Sequence, residues 1–71
     1  MADLQEVKSN VISHLGYDEP SQTLTVRFHH GGTYRYPGVP ADLHKGLLGA
    51  ESIGKHFHQF VRPHYTGSKV S

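Results

Sequence analysis

The chain contains no cysteine and no tryptophan, and only one methionine. Without cysteine there are no disulfides, no thiolate metal ligands and no thiol nucleophile, a composition that fits a reducing compartment. Long hydrophobic runs are missing too. No apolar stretch approaches the roughly 20 residues of a membrane-spanning helix. The N-terminal segment lacks the apolar run of about 7–15 residues that marks a secretory signal. The expectation is a cytoplasmic protein with no membrane contact. A surplus of one charge sign is also lacking: seven Lys and Arg face six Asp and Glu, for a net charge of +1 with neutral histidines. Dedicated nucleic-acid binders usually carry a stronger positive field, with pI above about 9. Length is short as well. The 71 residues make one domain, and a domain of about 60 residues buries only about 60% of its unfolded surface.

Histidine is what the chain has in excess. There are seven, as many as Lys and Arg together. Their full protonation adds seven positive charges to the +1, and an ordinary histidine titrates at about pH 6.5. Any binding to phosphate is therefore expected to strengthen on acidification. The spacing of the histidines supplies no metal motif. His56 and His58 are two apart on a predicted helix and do not face each other. His29 and His30 are neighbours on a strand and point to opposite faces. No HExxH motif, GxSxG elbow or carboxylate pair occurs. The expectation is a protein without metal, cofactor or catalytic residues, and not an enzyme.

Residues 1–8 show no period. From Asn10 to Tyr17, the residues Val11, Ile12, Leu15 and Tyr17 suit a short strand with an irregularity. Asp18 to Gln22 contains Pro20 and reads as a turn. From Thr23 to His29, Leu24, Val26 and Phe28 alternate with polar residues, the period of a strand. Gly31-Gly32 then separates this run from Thr33-Tyr34-Arg35-Tyr36, a hairpin signal. Pro37 to Pro40 ends the sheet. Leu43, Leu47 and Ala50 mark one face of a first helix, shortened by Gly46 and Gly49. Ser52 is an N-cap for a second helix, with Ile53, Phe57, Phe60 and Val61 as its apolar stripe and Pro63 as its stop. The predicted fold is α+β: a three-stranded antiparallel meander, then two short helices packed on one sheet face. The domain spans 7–65, with 1–6 and 66–71 as flexible termini.

Two segments carry candidate binding chemistry. Ser52-Ile53-Gly54-Lys55 combines a hydroxyl, the unpaired N–H groups of a helix start, a glycine and a cation. Lys55 stands where a capping box would have Glu or Gln, and has the wrong sign for the helix dipole. These residues describe an anion site, plausibly for phosphate; equally, Glu51 neutralises Lys55 and Ser52 only caps. Tyr34 and Tyr36 form the second. A two-residue turn at Gly31-Gly32 sets Tyr34 opposite His29 and Tyr36 opposite Arg27, an aromatic and cationic surface on which bases stack. A three-residue loop sets Tyr34 opposite Phe28 and Tyr36 opposite Val26, in the core. A slip of one residue exchanges the faces, and the sequence leaves both open. Lys55, His58 or Gln59, and Arg62 follow one another along a basic helix face, with Tyr65 nearby.

These residues also line up with a known family. Val7-x-Ser9, Ile12, Gly16-Tyr17-Asp18, Leu24-x-Val26-x-Phe28, Gly32, Tyr34-x-Tyr36, Val39-Pro40, Ala50-x-Ser52-x-Gly54-Lys55-x-Phe57, Arg62 and Tyr65 occur in this order. The chain thereby resembles the KTSC domain, named after a C-terminal extension of some lysyl-tRNA synthetases and also found as a stand-alone protein. Asn10 and His56 depart from the pattern, where the family often has a second Ser and an aromatic. The resemblance implies RNA binding, a role suggested for the family. The expected function is a non-catalytic binding module for a phosphate-bearing ligand, RNA or a nucleotide. In this reading Ser52, Gly54, Lys55 and Arg62 hold phosphate, Tyr34, Tyr36 and Tyr65 stack on a base, and Arg27 and Arg35 add charge. The alternative is a protein-interaction or homo-oligomerising module.

Overall fold

The computed structural model describes residues 4–70. The elements run β1 (Gln5–Glu6), β2 (Ile12–Asp18), β3 (Thr23–Phe28), β4 (Thr33–Tyr36), α1 (Ala41–Gly49), α2 (Ile53–Phe60) and β5 (Ser68–Lys69). The strands form one sheet in the order β1-β2-β3-β4-β5, each antiparallel to its neighbour. The predicted meander is β2-β3-β4, and the two helices follow it. The segments on either side of 7–65 each carry a short strand in their described parts. Gln5–Glu6 pairs with β2, and Ser68–Lys69 returns after the helices to pair with β4. Residues 1–3 and 71 lie outside the described residues.

The irregularity read in β2 is a bulge. Ile12 pairs with Phe28 but His14 with Arg27, so Ser13 is extra. Without it, Ile12 and Leu15, three apart, would point to opposite faces. With it both reach the core, at 0% and 1% exposure.

The β3–β4 connection matches neither register expected from the sequence. Phe28 N–H donates to the Gly32 carbonyl at 3.0 Å, closing a three-residue loop of His29, His30 and Gly31. Gly31 and Gly32 take φ of 119° and 89°, which side chains with a Cβ disfavour. The loop starts two residues earlier than a turn placed at the glycines. Val26 therefore faces Tyr34, and Leu24 faces Tyr36. This is a slip of two from the three-residue reading, so the face is unchanged. The tyrosines share a face with Leu24, Val26 and Phe28, and Arg27 lies on the other.

The helices cover that face. Ile53, Phe57 and Val61 of the α2 stripe are buried, but Phe60 is 47% exposed. At about 100° per residue, Phe60 falls on the edge of a stripe centred on Phe57, and its ring lies against His56 at 4.6 Å between centroids. Phe57 is 1% exposed and meets Phe28 and Tyr36 edge-on, at 5.6 and 5.3 Å. Removing a buried Phe ring costs about 3–5 kcal/mol, against a total of about 4–10 kcal/mol for a chain of this length. Phe57→Ala is expected to lose most of the folding free energy, read as the urea midpoint; a midpoint near that of the wild type would show that Phe57 does not anchor the helix.

Helix α1 is held through an aromatic stack. His44 lies on Tyr17 with centroids 4.9 Å apart and rings 11° from parallel. The Tyr17 hydroxyl donates to the Val39 carbonyl at 2.6 Å. Burial lowers the pKa of His44, so the folded protein resists its protonation. Below about pH 6.5 the unfolded chain takes up a proton that the native imidazole resists. Stability then falls as pH drops through that range. Between pH 7.5 and 5.5 the wild type is expected to lose more of its melting temperature than His44→Phe, which keeps the stack but does not titrate. Equal losses would remove His44 from the account.

Candidate functional site

The residues singled out in the sequence gather at the two ends of α2. The C-terminal end holds an aromatic cleft of about 370 Å³, lined by Phe28, Tyr34, Tyr36, Phe57, Arg62 and Tyr65, with His30, Gly31 and Gly67 at its walls. Strand alternation places Phe28, Tyr34 and Tyr36 on one face. Tyr34 lies edge-on to Phe28 at 5.7 Å and tilted by 30° from Tyr36 at 6.5 Å. The turns that follow α2 supply the other wall. Arg62 N–H donates to the Phe57 carbonyl at 3.0 Å and Tyr65 N–H to the Val61 carbonyl at 2.9 Å, and both residues line the cleft. Tyr36 is 7% exposed and forms the floor. Burial raises its pKa and the nearby Arg62 guanidinium only partly offsets this, so its phenol stays protonated and neutral. Tyr34 and Tyr65 are half-buried and Arg62 is exposed. The cleft thus presents ring faces on a rigid aromatic floor, with one cation at its mouth.

The N-terminal end of α2 holds a wider cavity of about 560 Å³. Lys8, Ser9, Asn10 and Val11 line it on one side, and Glu51 to Lys55 with His58 and Gln59 on the other. The Ser52 hydroxyl accepts the Lys55 N–H at 3.3 Å, the expected cap. Ser9 Oγ accepts from the N–H groups of Val11 and Ile12 at 3.2 and 3.3 Å. A Cβ on Gly54 would meet Cβ and Cγ2 of Val11 at 3.3 Å. The close approach that this glycine permits is therefore made by Val11 of the same chain. Among the described residues, no ion pair within 4.0 Å joins Glu51 to Lys55, and Lys55 is exposed.

The anticipated single site is thus divided. Tyr34, Tyr36, Tyr65 and Arg62 come together; Ser52, Gly54 and Lys55 lie at the other end of the helix. Arg27 and Arg35 are exposed on the opposite face of the sheet and reach neither cavity. The stacking surface of Tyr34 and Tyr36 with Arg27 and His29 is accordingly not formed. Sequence reasoning missed Phe28, His30 and Gly67 as cleft residues, and Lys8 and Ser9 in the wider cavity. Phe28 follows from the register once the loop is known. Gly67 gave no signal, because it sits in a segment without period. Among the described residues, no three His, Asp or Glu side chains group to hold a metal, and no helix is long and apolar enough to cross a membrane.

Together these features define a small α+β domain in which the junction of sheet and helix opens into an aromatic cleft. Residues 8–65 match the family model described as the KTSC domain, and the chain belongs to that family. A protein of Stutzerimonas stutzeri is 43% identical over 60 residues, covering 83% of this chain and 84% of its own. The lysine–tRNA ligase of Nostoc punctiforme is 32% identical over 68 residues, which are 96% of this chain but 12% of the ligase. The crystal structure of a KTSC domain protein from Yersinia pestis superposes with a TM-score of 0.97 at 31% identity and covers both chains completely.

The wall formed by residues after Tyr65 can be tested. A Cβ on Gly67 would stand closer than 3.0 Å to Cε2, Cζ and Oη of Tyr36. Because Tyr36 is packed in the core, the backbone at Gly67 must yield. Gly67→Ala is expected to lift β5 from β4, exposing the Val70 N–H that donates to the Thr33 carbonyl at 2.8 Å. Hydrogen exchange at Val70 should quicken by at least about tenfold, equivalent to about 1.4 kcal/mol. Unchanged exchange would show that the strand accommodates the methyl group.

Proposed function

We propose that the protein is a non-catalytic module that binds single-stranded RNA, with one base held in the aromatic cleft. The observation that carries this reading is the gathering of Tyr34, Tyr36, Tyr65 and Arg62 around one cavity. Single-stranded RNA is commonly recognised by stacking of splayed bases on aromatic rings and guanidinium planes. A volume of about 370 Å³ lies in the usual range for small-molecule sites, roughly 300–1,000 Å³. Tyr65 and Tyr34 offer the stacking faces, and Arg62 meets the phosphate or stacks on the base. The similarity to part of lysine–tRNA ligases, proteins named for an RNA substrate, supports the same reading. With a net charge of +1, affinity rests on stacking more than on a long-range field.

The alternative, a homo-oligomerising module, draws less support. Both sheet edges are two-residue strands, which offer little backbone for pairing with another chain. Light scattering at two protein concentrations separates the two readings.

Tyr65→Ala tests the cleft directly. Stacking of a base on an aromatic side chain contributes about 1–3 kcal/mol, so binding of adenosine monophosphate should weaken by roughly 5–150-fold. Far-UV circular dichroism should be unchanged, because Tyr65 is only half-buried. Wild-type affinity in the variant would remove the cleft from the function.

A further inference from the structure

The two cavities are joined by one face of α2. Lys55, His58 and Gln59 follow one another at i, i+3 and i+4 on one face of α2, Arg62 stands in the turn just after its end, and all four are exposed. His58 and Gln59 border the wider cavity together with Lys55, while Arg62 borders the aromatic cleft. This face carries donors and cations and no acid. Glu51 precedes the helix and lines the wider cavity on the same side as Lys55. Lys8 stands across that cavity from Lys55 and extends the cationic row beyond the helix.

We infer that α2 is a track for several nucleotides, along which a single strand of RNA runs from the aromatic cleft to the cavity between Lys8 and Lys55. This rests on the reading of the cleft as a base site and adds the length and path of the ligand. Lys55 and Arg62 are seven residues apart, five steps within α2 and two in the turn after it, a separation of roughly 10 Å at a helical rise. A stacked strand advances about 3.4 Å per nucleotide, so about three internucleotide steps cover the distance. The phosphates then pass Arg62, His58 with Gln59, and Lys55 in turn. The helix amides are not needed as ligands, since Ser52 already accepts the Lys55 N–H and Val11 packs on Gly54. A nucleotide bound at the cleft alone uses one end of this surface, whereas a tetranucleotide uses all of it.

Titrations of adenosine monophosphate and tetraadenylate across a salt series test the track, using the wild type and the surface variants Lys55→Gln and Arg62→Gln. Tetraadenylate should bind more tightly and with a steeper salt dependence. Lys55→Gln should lower its slope of log K against log salt by about 0.7, one phosphate contact on a single strand. Its loss of affinity should exceed the loss for the mononucleotide by about threefold. Arg62→Gln should weaken both ligands. Mononucleotide binding with no gain for tetraadenylate, or equal losses of the two ligands in Lys55→Gln, would overturn the track and leave the cleft standing. Binding of neither ligand at low salt would overturn the cleft reading, and the track with it.

Discussion

The ring of Phe57 is the contact on which fold and cleft both depend. It reaches from α2 into the sheet and meets Phe28 of β3 and Tyr36 of β4 edge-on. Such aromatic pairs add about 0.5–1.5 kcal/mol beyond the area that they bury, and in a chain this short two of them matter. The same rings form the inner wall of the aromatic cleft. Core and cleft are therefore one structure, buried at Phe57 and Tyr36 and open at Tyr34 and Tyr65. A floor locked by core packing need not be ordered when a ligand arrives, which lowers the entropy cost of binding.

The division between what the sequence revealed and what it hid follows the range of each interaction. Alternation in Leu24-x-Val26-x-Phe28 and Tyr34-x-Tyr36 is local, and it identified β3 and β4 and the two possible faces. Their register depends on where the loop closes, and the Phe28–Gly32 hydrogen bond is a backbone matter that the Gly-Gly pair only approximates. The spacing Ile12 to Leu15 announced an irregularity, and the bulge answers it. Strands β1 and β5 were not legible because all four of their residues are exposed and carry no periodic pattern. They are held by pairing to strands distant in sequence. The family resemblance named some residues of both cavities in one set. That they occupy opposite ends of a helix is a consequence of its length and axis, which motif order does not convey.

The histidine excess also resolves into places. His44 stacks on Tyr17, and His29 meets the Ser9 carbonyl at 2.8 Å, tying the β3–β4 loop to the segment before β2. His14 contacts Ser13 at the bulge. His56 lies against Phe60 and within 3.2 Å of the position that a Cβ on Gly46 would occupy, so a glycine in α1 makes room for it. An imidazole suits these contacts because it offers a flat apolar face and a polar edge together. His30 borders the aromatic cleft and His58 the wider cavity.

This placement bears on how a nearly neutral chain engages a polyanion. The exposed arginines Arg27 and Arg35 lie on the uncovered sheet face, away from both cavities, so they contribute only to the distant field. Near the helix the cations are few and spaced: Arg62 at one end, Lys55 and Lys8 at the other. Contacts so sparse give little affinity by themselves, since an exposed ion pair contributes about 0–1 kcal/mol. A stacked base contributes about 1–3 kcal/mol. On the proposed function, the cleft would set whether a strand binds, and the helix face how long a strand is preferred. The proposed track would also give the wrong-sign lysine at the start of α2, a small cost to the helix dipole, a role as the end of the row that Arg62 begins.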